Sequence, residues 1–96
     1  MNKIISLLTF FSLLSLFACE KTNDARMTIA TDCTGTYLRQ DGKDYKVCNI
    51  EKVAGFADGQ TVTVTYRHID DCKNVVEYGC KLLHLNEGWV EVVTIK

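Results

Sequence analysis

The sequence predicts a small all-β domain, and three observations support this fold class. Alternating apolar and polar residues, which are typical of half-buried strands, recur from residue 28 onward and are clearest over residues 60–69. Asp41-Gly42 and Asp58-Gly59 separate such runs and are typical of tight turns. Only residues 49–55 combine a helix-capping residue with a terminating glycine, so little helix is expected.

The Asp41-Gly42 pair predicts a β-hairpin between residues 34–40 and 44–48. In the register that a two-residue turn imposes, Arg39 faces Asp44 as a favourable cross-strand ion pair. Because side chains alternate along a strand, this register also fixes which residues face the core. It collects three side chains on the core face: Leu38, Tyr45 and Val47.

The next segment, residues 49–55, predicts one or two helical turns, with Asn49 as the N-cap and Gly55 as the terminator. Residues 60–69 predict a strand rich in β-branched side chains. Its inward-facing residues are Val62, Val64 and Tyr66.

Two further strands are predicted after a polar loop. Residues 75–78 and 81–85 predict a fourth strand, interrupted near Gly79, and residues 89–95 predict a fifth. Five short strands and one helical turn favour a compact, partly closed antiparallel barrel, either OB-like or SH3-like. The predicted helical turn follows the second strand, whereas the usual OB arrangement has its helix between the third and fourth. Such folds host many unrelated functions, so architecture alone predicts no activity.

The first 18 residues predict an export signal. Lys3 provides a positive start, and residues 4–18 form an apolar run of 15 residues without a charge. A membrane-spanning helix needs roughly 20 apolar residues, so the run is short for a transmembrane anchor. The run has no polar face, which argues against a soluble amphipathic helix. A secretory signal peptide fits these features best.

The end of this run, Leu16-Phe17-Ala18-Cys19, resembles the lipobox of bacterial lipoproteins. Leu16 stands three residues before the cysteine, and the small Ala18 stands directly before it; Phe17 departs from the small residue that is commonest there. The resemblance covers residues 1–19. It implies cleavage after Ala18, a diacylglyceryl thioether on Cys19 and an acylated amino group, and several acyl chains make release from a bilayer negligible.

The resemblance also implies a localisation. Glu20 follows the cysteine where inner-membrane retention is associated with Asp, so we expect an outer-membrane lipoprotein. The predicted organisation is a signal peptide at 1–18, a lipidated cysteine with a flexible tether at 19–27, and a disulfide-braced β domain at 28–96.

With Cys19 assigned to lipid, an even number of cysteines remains, which in a short exported chain predicts two disulfides. These residues are Cys33, Cys48, Cys72 and Cys80. A zinc site fits less well, because no pair has the close spacing that is typical of zinc ligands. Three connectivities are possible, and the hairpin register favours Cys33–Cys48 with Cys72–Cys80.

The densest polar cluster consists of His68, Asp70, Asp71 and Cys72, which His84 could approach. These residue types could form a metal site or an acid–base pair. The interpretation that we favour is a solvated loop after a strand, with the aspartates shaping the turn. No catalytic residue, metal or cofactor is assigned, apart from the covalent lipid on Cys19.

Four aromatic residues could form a stacking platform for bases or sugars: Tyr37, Tyr45, Tyr66 and Trp89. Core packing is the interpretation that we favour for them. After the leader is removed, ten basic residues face twelve acidic ones, which leaves no basic footprint for nucleic acid.

The sequence therefore predicts a monomeric, non-enzymatic binding or interaction module of the cell envelope. Its partners would be the membrane, through the lipid anchor, and an envelope protein or a small ligand. The alternatives are a metal- or small-ligand-binding protein that uses His68, Asp70, Asp71 and His84, and a small envelope hydrolase.

Overall fold

The computed structural model describes residues 21–73, 75 and 79–96, and it is all-β, as predicted. The described elements are five strands and one 3₁₀ turn: β1 (Asn23–Asp32), β2 (Gly35–Gln40), β3 (Lys43–Val47), the 3₁₀ turn (Ile50–Lys52), β4 (Thr61–Ile69) and β5 (Trp89–Ile95).

The five strands form a closed barrel in the order β1-β2-β3-β5-β4, with β1 pairing to both β2 and β4. Neighbouring strands are antiparallel except β3 and β5, which are parallel, so the predicted fully antiparallel barrel is wrong at this one contact. The 3₁₀ turn lies between β3 and β4, which is where the OB arrangement places its helix. The expected departure from the OB order is therefore wrong, because a strand was missed at the start of the domain.

That missed strand is β1, which begins at Asn23 inside the segment predicted to be a tether. Its inward positions alternate with polar ones, and Met27 and Ile29 are both 1% exposed. β1 pairs with a strand on each side, and this pairing satisfies the hydrogen-bonding groups of its backbone. The polar residues that alternate with its inward ones remain at the surface. The ordered domain therefore starts at least five residues before the predicted boundary at residue 28.

The predicted fourth strand is also wrong within the described residues, because 75 and 79–85 do not form a strand. Because β1 supplies the fifth strand and closes the barrel, no sheet edge remains for this segment to join. The described residues of this segment belong instead to the connection between β4 and β5; we call residues 70–73, 75 and 79–88 the β4–β5 loop.

The β2–β3 hairpin has the predicted register, with Leu38 opposite Tyr45 and Arg39 opposite Asp44. Asp41 and Gly42 both have positive φ, at 53° and 74°, as a two-residue turn of this handedness requires. The inward assignments are also confirmed for β4. The buried core is Met27, Ile29, Leu38, Val47, Val53, Val62, Val64, Tyr66, Val90 and Val92.

Asn49 does not cap a helix as predicted. It makes no side-chain capping bond to the 3₁₀ turn, which is shorter than expected and ends at Lys52. Its side-chain amide instead donates to the carbonyl oxygen of Val92 at 2.7 Å and accepts from the Val92 amide at 2.8 Å. Together with the Cys48 amide, which donates to the Val90 carbonyl, Asn49 extends the contact of β3 with β5 by two residues beyond the strand.

Two disulfides are present, as predicted, but they join Cys33 to Cys80 and Cys48 to Cys72. The favoured pairing of Cys33 with Cys48 and of Cys72 with Cys80 is therefore wrong. The reason is the path of the β4–β5 loop, which passes the end of β3 and then reaches the β1–β2 connection. Cα–Cα distances of 5.8 and 5.6 Å are within the usual range for a disulfide.

Candidate functional site

The outer face of the β2–β3 hairpin is covered by the β4–β5 loop. Leu38 points into the barrel, so the adjacent Tyr37 points outward. Asp44 also points outward, because it is an odd number of residues from Val47, which points inward. Outward residues of a single-sheet barrel are normally exposed, yet Tyr37 is 1% and Asp44 9% exposed. The loop therefore provides a second layer over this face.

His84 is the loop residue that contacts both buried side chains. Its Nδ1 lies 2.5 Å from Oδ2 of Asp32, and its Nε2 lies 2.5 Å from Oδ2 of Asp44. Its ring stacks on Tyr37, with 3.6 Å between centroids and 9° between planes. We call these four residues, Asp32, Tyr37, Asp44 and His84, the His84 clamp.

Both carboxylates of the clamp have further partners. Arg39 donates from Nε to one oxygen of Asp44 at 2.7 Å and from Nη2 to the other at 2.9 Å. The Thr34 amide donates to Asp32 at 2.7 Å, and the Thr34 hydroxyl also donates to it. Because that hydroxyl is used as a donor, the Tyr37 hydroxyl donates to it, across 2.6 Å.

These contacts shift the pKa values in opposite directions. The Thr34 hydroxyl, followed by His84, lowers the pKa of Asp32 to about 2. The Arg39 guanidinium lowers the pKa of Asp44 against the opposing effect of burial. Burial disfavours the charged form of His84, but the hydrogen bonds and charges of Asp32 and Asp44 outweigh it and raise the pKa of His84. The clamp is therefore most stable with an imidazolium between two carboxylates.

This geometry restricts the chemistry of His84. Each ring nitrogen faces a carboxylate oxygen, so no lone pair is directed toward a substrate or a metal ion. No group of three or more histidine, cysteine, aspartate or glutamate side chains within residues 21–73, 75 and 79–96 is arranged to hold a metal. The arrangement can hold a loop in place.

Backbone and disulfide contacts hold the same loop at other points. Cys80 is bonded to Cys33 in the β1–β2 connection. The Glu87 amide donates to the Asp44 carbonyl at 2.8 Å, and the Lys46 amide donates to the Gly88 carbonyl at 2.9 Å. The loop is thus fixed to the barrel on both sides of His84.

A groove of about 450 Å³ lies between the loop and the barrel. Tyr37 and Lys46 line its barrel side. Its loop side includes Cys80, Leu82 and Leu83. The groove lies on the β2–β3 face, which OB folds commonly use for ligands, although here part of that face is occupied by the loop itself.

The predicted polar cluster is not assembled. His68 is exposed near the end of β4, with its ring centroid 5.5 Å from that of Tyr45 and 5.6 Å from that of Tyr66. His84 lies on the outer face of the hairpin, so the two histidines do not converge. Asp70 and Asp71 are exposed at the start of the loop, away from the His84 clamp.

The four aromatic residues also do not form one platform. Tyr45 and Tyr66 pack in the barrel interior, 6.2 Å apart, whereas Tyr37 lies under His84 on the outer face. Trp89 packs near Lys46, whose Nζ is 5.1 Å from the ring centroid.

No pattern in the sequence indicates Asp32 or Tyr37 as a partner of His84. Asp44 was identified only through its ion pair with Arg39, which the structure confirms. The missed contacts join residues 52 and 40 positions apart, and no local pattern encodes them.

No family model, curated protein or solved structure matches the chain. In the described part of the chain, no helix has the length and apolar character needed to cross a membrane. The predicted signal peptide and Cys19 lie outside the described residues.

Proposed function

We propose that the chain is a lipid-anchored lipoprotein of the bacterial outer membrane and that its barrel is a non-enzymatic binding module. Its anchor is Cys19, on the resemblance of Leu16-Phe17-Ala18-Cys19 to a lipobox. Its binding surface is the β4–β5 loop together with the groove on the β2–β3 face.

The observation that carries the proposal is the way in which the loop presents apolar side chains to solvent. Leu82, Leu83 and Leu85 are 62%, 82% and 80% exposed, while His84 between them is turned toward the barrel. Exposed apolar residues grouped in this way are typical of interaction surfaces. The Cys33–Cys80 disulfide and the His84 clamp hold these leucines in position, which reduces the conformational entropy that is lost on binding.

The anchor is tested by metabolic labelling with an alkyne-bearing fatty acid in a diderm host. The unsubstituted protein should acquire label and fractionate with the outer membrane, and the Cys19→Ser variant should acquire none. Equal labelling of both proteins would exclude Cys19 as the lipid attachment site.

The binding surface is tested by placing a photoreactive amino acid at Leu83 or at Thr63. Thr63 is an exposed β4 residue on a part of the barrel that does not adjoin β2 or β3, so it serves as the matched control. Irradiation in the envelope should give adducts, with protein or lipid, from position 83 only. Absence of adducts at 83, or equal yields at both positions, would refute the assignment.

A further inference from the structure

Among the residues that the structure describes, three leucines of the β4–β5 loop are exposed to solvent. We call Leu82, Leu83 and Leu85 the leucine strip; their exposed fractions are 62%, 82% and 80%. The fourth leucine of the chain after Cys19, Leu38, is fully buried in the barrel. The loop thus places most of the leucine content of the mature sequence at the surface.

We propose that the leucine strip rests in the interfacial region of the bilayer to which the protein is anchored. The inference rests on the proposed lipid anchor and names the partner of the same binding surface. It makes the loop a second membrane contact, separate from Cys19.

The length of the tether supports a bilayer as the occupant. Only three residues separate Cys19 from Asn23, where β1 begins, so the two residues are four Cα–Cα steps apart. A fully extended segment of that length spans at most about 14 Å. The Asn23 end of β1 is therefore held close to the lipid surface, where a second, weaker contact forms at a high effective concentration. Because Cys80 and His84 fix the loop to the other end of β1, this contact requires β1 to lie along the bilayer.

The size of the strip supports a bilayer over a second copy of the chain. A stable protein–protein interface buries about 800 Å² on each partner and involves roughly 20–30 residues a side. Three side chains provide only a small part of this. Insertion of exposed leucines into an interface has no such minimum, because each apolar side chain that leaves water contributes separately.

The charges beside the strip are compatible with anionic headgroups. Lys81 precedes the strip and is exposed, and Lys46 lines the groove next to it. The carboxylates of Asp32 and Asp44 are compensated by His84 and Arg39, which leaves Glu87 as the exposed acid nearest the strip in sequence.

The experiment uses the lipidated, unsubstituted protein with ¹³C-labelled leucine methyl groups in phosphatidylethanolamine and phosphatidylglycerol nanodiscs. Spectra are compared with and without a phospholipid that carries a nitroxide near the start of one acyl chain. Leu38 is an internal control, because it reports the barrel core in the same molecule.

We expect the nitroxide to reduce the methyl signals of the strip at least about threefold more than those of Leu38, as interfacial contact requires. Equal attenuation of all four leucines, or an unattenuated strip in protein that co-elutes with nanodiscs, would overturn the inference and leave the anchor intact. Protein that does not associate with nanodiscs would refute the anchor, and the inference with it. Strip signals that shift with protein concentration but not with nitroxide would assign the strip to a dimer instead.

Discussion

The His84 clamp predicts that the stability of the domain depends on pH through one residue. The folded pKa of His84 is raised above its ordinary value, so the folded state binds a proton more tightly than the unfolded state. The resulting stabilisation is fully present below the unfolded pKa of about 6.5 and is lost as the pH rises through the folded pKa. The carboxylates set the lower limit, because Asp32, with its pKa lowered to about 2, loses its contribution as the pH falls toward that value.

The magnitude follows from the contacts that His84→Gln would remove. These are two hydrogen bonds between charged groups, each worth about 1.5–3 kcal/mol, and one stacked ring pair worth about 0.5–1.5 kcal/mol. The bond to Asp32 is discounted because that side chain is 33% exposed. Asp32 keeps Thr34 and Asp44 keeps Arg39, so neither carboxylate is left without a partner. We expect a loss of about 2–3 kcal/mol near pH 5.5 and about 1 kcal/mol or less well above the folded pKa.

The assay is urea unfolding of the unsubstituted protein and of His84→Gln across this pH range, with disulfides intact. His68→Gln is the matched control, because it removes the other histidine and leaves the clamp in place. The free-energy difference between the unsubstituted protein and His84→Gln should shrink as the pH rises, and the difference for His68→Gln should not follow the same curve. A His84→Gln difference that is independent of pH, or smaller than about 0.5 kcal/mol near pH 5.5, would show that the clamp does not carry the charge assigned here.

Three further predictions concern stability. Leu38→Ala should lower the free energy of unfolding by about 2–5 kcal/mol, because Leu38 is fully buried. Val93→Ala, at a 41% exposed site, should lower it by less than about 1 kcal/mol, and urea titration of both variants checks this. Asn49→Ala should lower the free energy of unfolding by about 1–3 kcal/mol, because both backbone groups of Val92 lose their partner. Asn49→Asp keeps only the acceptor, so it should recover part of this loss in the same titration. Replacing Cys33 and Cys80 together by serine should lower the free energy of unfolding by about 3–4 kcal/mol and increase hydrogen exchange over residues 79–88, and an unchanged exchange rate there would contradict the role of this disulfide in holding the loop.

The parts of the fold that the sequence predicted are those determined by neighbouring residues. The Asp41-Gly42 turn and the alternation on either side of it determine the hairpin register, including the Arg39–Asp44 pair. The β4 strand is predicted for the same reason, since exposed or partly exposed residues alternate with buried ones from Thr61 to Tyr66.

The parts that were missed depend on residues far apart in the chain. The sequence of β1 has the character of a polar segment, and its strand structure depends on the pairing of its backbone with β2 and β4. Residues 81–85, which include three leucines, are predicted to form part of a strand, whereas the structure leaves these leucines exposed. The disulfide connectivity and the His84 clamp both follow from the path of the β4–β5 loop across the hairpin, which no local pattern specifies.

The disulfide connectivity has a consequence for the biogenesis of the domain. The bridges are nested, with Cys48–Cys72 enclosed by Cys33–Cys80. A chain that crosses a membrane from its N-terminus presents Cys33 and Cys48 to an oxidising compartment before the partner of either has emerged. If the chain is exported as proposed, the first bond available to an oxidant is therefore non-native, and any Cys33–Cys48 bond that forms has to be exchanged through a mixed disulfide before both native bridges can form. The yield of the oxidised domain would then depend on thiol–disulfide isomerase capacity more than on the rate of oxidation.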